Sequence, residues 1–516
     1  MILKKNQIII FIIQNFIMKN IFNLVRTAYI RYPKKIFLKS LNGKNDLNYE
    51  QTHNFILKLN KYFEEKKIFK QKKILVIFDN SILLSLLFLG ITSTNRIFVP
   101  VNPEIGEHEF KHILKTSRPS YSLINKKFKN KFDKFFKKNS FEYIEDENFF
   151  ISKIFTKDSL KFNTKFNGIS EILFTSGSTG EPKGVVLTHK SILTNINGLE
   201  KSLRIKKFQN FLVITPIFHN NGQFIPTLMC LKKIGTSMPV ISKTSVGLFW
   251  DIIKKHKINY SSVMATHISY LLSVSKTKKK HNLKGLFCGG AKLDLEIQNK
   301  FEKKYKAKVY CNYGLTETSS IVATENNQKK INTGSVGKSL YNNKIRVINK
   351  KLYDGVKGEI IVKGDNLFLE YLNNKKKTKE VIKQGWLHTG DLGSFDEDKN
   401  LYIHERLDNM VVVSGENIYP TEIEKFSNSF KNIKLSVVTS IKNKLTQNML
   451  VLLYESKKKI NEEKILKFLF KKIANFKIPK RIVHCSDIGL RDIPKAPNGK
   501  ILRSKVREII GNYYNS

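Results

Sequence analysis

Residues 175–184 carry hydroxyl groups, glycines and an ammonium at a spacing that could bind phosphate. Residues 172–174 and 185–187 are strand-like, so the segment between them predicts a hairpin loop. Its glycines let the backbone approach a ligand closely, and its hydroxyls, N–H groups and ammonium suit a polyphosphate. It is not a Walker A loop, because no GxxxxGK[ST] pattern fits and Pro182 disfavours a helix there. The candidate phosphate-binding residues are Thr175, Ser176, Gly177, Ser178, Thr179, Gly180 and Lys183.

Five further motifs follow this loop. They are Pro-Ile-Phe-His at 216–219 with Gly222, Tyr-Gly-Leu-Thr-Glu at 313–317, Gly-Trp-Leu-His-Thr-Gly-Asp at 385–391, a segment from Arg406 to Glu424, and Pro-Lys-Ala-Pro-Asn-Gly-Lys at 494–500. In this order the six motifs resemble those of the ANL superfamily of adenylate-forming enzymes, which includes acyl-CoA synthetases, peptide-synthetase adenylation domains and beetle luciferases. The resemblance runs from about residue 18 to 505.

The resemblance implies an α/β fold. It consists of a large N-terminal domain of α/β subdomains with a β-barrel-like part, followed by a small mobile α+β domain. We therefore expect an N-terminal extension over residues 1–17, an AMP-binding domain over 18–407 and a small domain with a catalytic lysine over 408–516. Asp408 falls on the position that the family uses as its hinge.

The nucleotide-binding residues are also carried over from the resemblance. Asp391, expected at a strand end, would accept both ribose hydroxyls, and Arg406 would make a second ribose contact. Tyr313 would offer an aromatic face to adenine. Gly290, Ala291 and Gly314 would line the adenine and acyl pockets. Gly415 would face the coenzyme A nucleotide.

The family reaction has two steps, in which a carboxylate attacks the ATP α-phosphate and a thiol then displaces AMP. Lys500 would bridge the two repelling anions, and Thr316 would donate to the α-phosphate. Glu317 offers the hard oxygen that Mg²⁺ needs, with Thr175 as a second metal ligand. His219 would contact or gate the acyl group.

The net charge of +48 is spread along the chain instead of being gathered in one tail. We interpret it as a compositional bias on solvated faces, and therefore expect no specific nucleic-acid partner. Peripheral contact with an anionic membrane stays open, because Phe128, Phe132, Phe135 and Phe136 alternate with lysines at helical spacing. A helix packed on its own subdomain is the favoured interpretation.

The four cysteines contain no CxxC pair and are too few for a disulfide scaffold, which favours a reducing cytoplasm. Lys4 and Lys5 precede an apolar run over residues 8–13, which is too short to span a bilayer. A signal peptide is an alternative, but a short extension or a start at Met18 is favoured. Oligomeric state is not predicted.

The sequence favours a simple carboxylate as the substrate. Amino-acid-activating members of the superfamily carry Phe-Asp in this region, where the Asp anchors the substrate ammonium. This chain has Phe218-His219 there instead. The whole pattern, including Gly222-Gln223, resembles the medium- and long-chain acyl-CoA ligases. We therefore predict a ligase that uses ATP, Mg²⁺ and coenzyme A to convert a carboxylic acid, expected to be a fatty acid, into its acyl-CoA. The alternative is a free-standing enzyme that loads a separate carrier protein.

Overall fold

The computed structural model describes most of the chain. The residues described are 19–137, 140–154, 166–175, 182–203, 205–274, 281–325, 334–348, 357–409, 411–413, 416–443, 447–473, 475–496 and 499–515. The predicted extension over 1–17 therefore lies outside the described residues.

Two large sheets form the first part of the molecule. In spatial order, the described strands of the first are Lys338–Ser339, Ser320–Thr324, Lys308–Leu315, Gly285–Cys288, Tyr260–Val263, Asn210–Val213, Thr236–Pro239, Ile36–Leu38 and Leu47–Asn48. Those of the second are Glu370–Tyr371, Lys183–Thr188, Ile169–Thr175, Ile97–Pro100, Lys73–Ile77, Tyr121–Asn125 and Phe141–Ile144. Both contain parallel neighbours, as expected for α/β subdomains.

Helices cover these sheets, and one of them is buried on every side. The segment Ile82–Ser93 has no exposed residue, and the Ser81 hydroxyl caps it by accepting from the Leu84 N–H at 3.1 Å. The helices of this part are Ile21–Arg31, Tyr49–Glu65, Ile82–Ser93, Glu107–Ser117, Lys129–Phe132, Glu147–Ile154, His189–Leu203, Asn220–Gln223, Cys230–Lys232, Ser242–Ser245, Phe249–Lys255, Ala265–Val274, Leu295–Tyr305 and Lys375–Val381, with a π-helix at Phe224–Met229.

The phenylalanine-rich segment after residue 125 is a broken helix and not a continuous one. A helical turn at Lys129–Phe132 is flanked by 3-10 turns at Lys126–Phe128 and Asp133–Phe135. Phe132 is buried, with its ring centre 4.6 Å from that of Phe110. The segment thus packs on its own subdomain, as favoured above. No helix among the described residues is both long and apolar enough to cross a membrane.

An antiparallel sheet follows the two large sheets. Its described strands are Lys344–Ile348, Gly358–Lys363, Trp386–Phe395 and Ile382–Lys383, and Leu401–Arg406 pairs with Trp386–Phe395. This sheet places Asp391 directly opposite Arg406.

The C-terminal part has its own hydrophobic cores, built from residues between Val411 and Ile510. Its described strands are Val411–Val413, Glu416–Ile418, Ile433–Asn443, Gln447–Ser456 and Arg481–His484. Its helices are Pro420–Asn428, Glu462–Phe470 and Arg503–Asn515, with 3-10 turns at Leu407–Asn409, Asn475–Lys477 and Cys485–Ile488. The α+β composition agrees with the sequence, while the exact boundary at 408 stays a prediction.

The four cysteines are all free thiols, three of them buried and Cys311 partly buried. Burial raises the pKa of the Cys288 thiol to about 12 and that of Cys485 to about 11, and it also raises those of Cys230 and Cys311. None of these thiols is therefore poised for reaction.

Candidate functional site

The hairpin predicted to bind phosphate has the two strands that the sequence indicates. Ile169–Thr175 and Lys183–Thr188 are antiparallel, and Thr175 lies directly opposite Lys183. The loop residues Ser176, Gly177, Ser178, Thr179 and Gly180 lie outside the described part of the chain. The register nevertheless fixes where the loop leaves and re-enters the sheet.

Glu317 lies near this hairpin and is linked to it by Tyr371. Glu317 belongs to a 3-10 turn, Thr316–Thr318, and its Oε1 accepts a hydrogen bond from the Tyr371 hydroxyl at 2.7 Å. The Lys183 Nζ lies 5.8 Å from the centre of the Tyr371 ring. Burial, followed by the charge of Glu317, raises the pKa of Tyr371, so its phenol stays protonated and donates. Tyr371 carries no motif signal, and sequence reasoning missed it.

The turn at Thr316 depends on the glycine before it. A Cβ added to Gly314 would lie 1.9 Å from the Ser320 carbonyl oxygen, so only glycine fits there. The pairing between the strands Lys308–Leu315 and Ser320–Thr324 also shifts register between Tyr313 and Gly314. The backbone therefore departs from regular strand geometry where Thr316 and Glu317 are presented.

Three side chains meet at the predicted ribose position. The Tyr313 hydroxyl donates to Asp391 Oδ2 at 2.6 Å, and Arg406 Nη1 donates to Asp391 Oδ1 at 3.0 Å and to the Thr389 carbonyl at 3.2 Å. Asp391 is only 6% exposed. Each carboxylate oxygen keeps a second acceptor position after these bonds, which could serve a sugar hydroxyl.

The expectation that Asp391 ends a strand is wrong. It lies within Trp386–Phe395, where Gly390 has a φ of +70° and the ladder shifts register between Leu392 and Gly393. A Cβ at Gly390 would come within 3.3 Å of Arg406 Nη2. The glycine thus provides both the turn in the backbone and the room that Arg406 needs to reach Asp391.

Burial and pairing have opposite effects on the pKa of the Asp391 carboxyl. Burial raises the pKa of its carboxyl above the ordinary value, while the charge of Arg406 and the hydrogen bonds from Tyr313 and Arg406 lower it. Burial also raises the pKa of the Tyr313 phenol and Asp391 raises it further, whereas Arg406 lowers it. Tyr313 is therefore a protonated donor that orients Asp391.

Lys500 projects into this site from the C-terminal part. Its hairpin is closed by a bridge between Lys495 and Ile501, and the Ala496 N–H donates to the Lys500 carbonyl at 2.7 Å. Gly499 has a φ of +79°, and a Cβ there would meet the Thr266 side chain at 2.7 Å. The hairpin is thus seated against the large domain.

The charges around Lys500 are those of the predicted site. The surrounding protein lowers the pKa of its ammonium from the ordinary value, and Arg406 adds to that lowering, whereas Asp391 and Glu317 oppose it. The side chain itself stays open to the cleft. The structure therefore brings together Lys500, Asp391, Arg406 and Glu317 from four separate motifs.

His219 and Gly290 belong to two further segments of the predicted site. His219 precedes the short helix Asn220–Gln223, and burial lowers the pKa of its imidazole to about 4, which leaves it neutral near pH 7. Gly290 and Ala291 are exposed, and a Cβ at Gly290, whose φ is +85°, would lie 3.5 Å from Asn221 Nδ2. Asn221 therefore connects the His219 segment to the predicted pocket lining, a residue that the motifs did not single out.

Two predicted residues, Asp408 and Gly415, lie at the start of the C-terminal part. The backbone of Asp408 lies in the 3-10 turn Leu407–Asn409, but its side chain is outside the described part of the chain, as is the whole of Gly415. Within the described ranges there is no cluster of three or more His, Cys, Asp or Glu side chains that could hold a metal by itself.

Solved structures share this fold over almost the whole chain. ATP-bound MatB from Rhodopseudomonas palustris has a TM-score of 0.86 at 21% identity, over 96% of this chain and 100% of that one. The o-succinylbenzoate coenzyme A synthetase MenE from Bacillus subtilis, in complex with ATP and magnesium, has a TM-score of 0.82 at 21% identity, over 94% of this chain and 98% of that one. These similarities confirm the predicted ANL adenylating fold.

The sequence comparisons identify the family. Residues 25–372 match the family described as AMP-binding enzyme. A 2-succinylbenzoate–CoA ligase of Bacillus cereus is 31% identical over 348 residues, which cover 66% of this chain and 70% of that relative. The chain therefore belongs to the AMP-binding enzyme family, and its predicted class, an acid–thiol ligase, is confirmed.

Proposed function

We propose that this protein joins a small carboxylic acid to coenzyme A in two steps, with ATP as the energy source and an acyl-adenylate as the intermediate. One observation carries the proposal. The Lys500 ammonium, the Glu317 carboxylate and the Asp391–Arg406 pair influence one another in a single cleft, although they come from distant parts of the chain.

The nucleotide would be anchored by Asp391. Its carboxylate is already fixed by Tyr313 and Arg406, so it can accept from the ribose hydroxyls without first becoming ordered. Gly290, Ala291 and Gly314 would leave room for the base, and Gly415 would lie toward coenzyme A. The strands at Thr175 and Lys183 would place the loop residues 176–180 around the phosphates.

Magnesium fits the donor set at Glu317. Mg²⁺ is bound by one or two carboxylates together with substrate phosphates, and Glu317 is a carboxylate beside the phosphate hairpin whose Oε1 is oriented by Tyr371. Glu317 would hold the ion, with the Thr175 hydroxyl as a second candidate ligand. When bound, the ion would neutralise phosphate charge and withdraw electrons from phosphorus.

The first step requires two anions to meet. A carboxylate oxygen of the acid attacks the α-phosphorus of ATP, the bond to the β-phosphate oxygen breaks, and pyrophosphate leaves. Lys500 would lie between the carboxylate and the α-phosphate, where its charge reduces their repulsion and stabilises the transition state. Thr316 would donate to an α-phosphate oxygen.

In the second step the thiol sulfur of coenzyme A attacks the acyl carbonyl, and AMP leaves as the thioester forms. The bond between the acyl carbon and the AMP phosphate oxygen breaks, and the thiol proton passes to the solvent. Asp408 would be the hinge that turns the small domain between the steps, because Lys500 has no role in the second. His219, neutral near pH 7, would contact the acyl group without adding charge.

We propose two classes of carboxylic acid as the substrate. The curated relative is named for 2-succinylbenzoate, an aromatic acid, and we propose this class first. A medium- or long-chain fatty acid, predicted from the resemblance, stays a second proposal. Discrimination by single methylene groups is worth only about 1 to 3 kcal/mol, so a preference among fatty acids would be graded.

A carboxylate panel tests the function. The protein is incubated with MgATP and each acid, and pyrophosphate release and thioester formation are measured with coenzyme A or with an acyl-carrier protein as acceptor. We expect acid-dependent pyrophosphate release and thioester formation on coenzyme A. Thioester that forms only on the carrier would favour the alternative acceptor, and no acid-dependent pyrophosphate release across the panel would contradict the proposal.

A further inference from the structure

Glu405 lies where the last strand of the antiparallel sheet leads into the hinge. It is the penultimate residue of Leu401–Arg406 and is only 6% exposed. Its Oε1 accepts from the Arg406 N–H at 2.9 Å and from Asn409 Nδ2 at 3.0 Å, while its Oε2 accepts from the Thr421 N–H at 3.1 Å. One carboxylate thus holds both sides of the turn Leu407–Asn409.

The bond to Thr421 crosses the predicted domain boundary. Thr421 is in the first turn of the helix Pro420–Asn428, where N–H groups lack partners within the helix. The preceding Tyr419 provides no side-chain cap. Glu405 therefore supplies from the large domain the anionic acceptor that this helix end favours.

The same helix is tied to the segment that carries Lys500. Glu424, one turn further along, is buried and accepts a bidentate pair of bonds from Arg503, one of them 2.7 Å long, and a bond from the Val438 N–H at 2.7 Å. Arg503 begins the last helix, three residues after Lys500. These bonds couple the orientation of the helix Pro420–Asn428 to that of the Lys500 hairpin.

The charges at this interface also depend on Glu405. Lys292 of the large domain and Lys425 of the small domain repel each other, and Glu405 is the strongest counter-charge that acts on Lys292. Loss of the Glu405 charge would leave that repulsion less compensated. The hydrogen bond to Thr421 and the counter-charge on Lys292 both come from the Glu405 carboxylate, and both favour the observed orientation of the two domains.

We propose that Glu405 is a positioning residue that holds the small domain in the orientation in which Lys500 reaches the nucleotide. The proposal rests on the two-step function proposed above. A rotation at residues 407–409 would separate Thr421 from Glu405, so the bond exists in the adenylate-forming orientation and is released when the domain turns. Glu405 would therefore favour the first half-reaction and contribute nothing to the second.

Glu405→Gln in the full-length protein tests this proposal, because the amide keeps the size but loses the charge and one acceptor. Two rates are measured: adenylate formation from acid and MgATP, and thioester formation from supplied acyl-adenylate and coenzyme A. We expect the first rate to fall about 5- to 10-fold, as for the loss of a charged hydrogen bond, and the second to stay within about twofold or to rise. A general folding defect would lower both rates by the same factor.

Glu422→Gln is the matched control. It removes a carboxylate from the same helix, but one that pairs with Lys477 inside the small domain, at 2.8 Å from each oxygen. We expect it to leave the ratio of the two rates unchanged. An unchanged ratio in Glu405→Gln, or the same change in both variants, would overturn the positioning role. If the wild-type protein formed no adenylate from any acid, the proposed function would fail first.

Discussion

Asp391 and Lys500 lie in one site but are held there in different ways. The Asp391 carboxylate is buried between Tyr313 and Arg406, and all three belong to the large domain. The Lys500 ammonium is open to the cleft, and its hairpin belongs to the small domain. Its place in the site depends on contacts such as Gly499 against Thr266 and Glu405 to Thr421.

Asp391 and Lys500 are therefore preorganised in two different ways. The proposed ribose position is built into a sheet, because Asp391 and Arg406 are register partners, and a rotation of the small domain leaves it intact. The Lys500 ammonium, proposed to be catalytic, is present only when the two domains are correctly oriented. An enzyme with this arrangement can keep its nucleotide while it removes the lysine, which a two-step reaction requires.

The largest effect is expected for Lys500→Ala. Adenylate formation should fall about 100- to 1000-fold, because the charge that offsets the repulsion is lost, while thioester formation from supplied acyl-adenylate should change less than about twofold. Pyrophosphate release and thioester formation measure the two rates. Lys505→Ala, an exposed lysine on the next helix, is the control. Equal loss in both half-reactions would contradict the contrast with Asp391.

A smaller effect on activity, with a cost in stability, is expected for Asp391→Asn. The KM for ATP should rise about 10- to 100-fold, and unfolding should become easier by about 1 to 3 kcal/mol, because Arg406 and Tyr313 lose their anionic partner. Steady-state kinetics and urea unfolding measure the two quantities. In contrast, Lys500→Ala should unfold like the wild type, since its side chain is open to the cleft. If the Asp391→Asn variant kept the stability and the KM for ATP of the wild type, the buried Asp391 carboxylate would not be what distinguishes it from the exposed Lys500.

Glu171→Gln would show what burial does to a carboxyl that lacks a cation. Glu171 is fully buried in the strand Ile169–Thr175, and burial raises its pKa to about 8. A raised pKa means that its stabilising contribution is complete below the unfolded value near 4.5 and is lost as the pH rises through 8. The variant should therefore gain stability over the wild type between pH 5 and 8, by at most about 1.4 kcal/mol per pH unit.

Urea unfolding across this pH range measures that difference. The control is Glu296→Gln, whose carboxylate pairs with Lys300 on an exposed helix surface at 2.7 Å. Its stability difference from the wild type should not increase over the same range. A flat difference for Glu171→Gln as well would show that Glu171 is ionised inside the protein.

Sequence reasoning recovered the parts of the site that local pattern encodes. The strands around the phosphate loop follow from the strand-like runs at residues 172–174 and 185–187. The resemblance supplied Asp391, Arg406 and Lys500, which the structure brings together. Tyr371 was missed because its partner, Glu317, is distant in sequence. Asn221 was missed for the same reason, since the space that a Gly290 side chain would occupy is next to it only in the folded chain.

The position of Asp391 shows the same limit. A Thr-Gly-Asp sequence is typical of a strand end, and the residues around it contain nothing that contradicts this interpretation. Pairing with both Gly358–Lys363 and Leu401–Arg406 keeps the segment extended through Gly390. The register of neighbouring strands, which no local pattern records, decides the outcome.

The buried cysteines have a practical consequence for measurements of thioester formation. Coenzyme A carries a free thiol that disappears as product forms, so its consumption can be followed with a colorimetric thiol reagent. Protein thiols with raised pKa values and little surface react slowly with such reagents, so the native enzyme should contribute a low background signal. A sudden rise in that background would in turn report that the protein had unfolded.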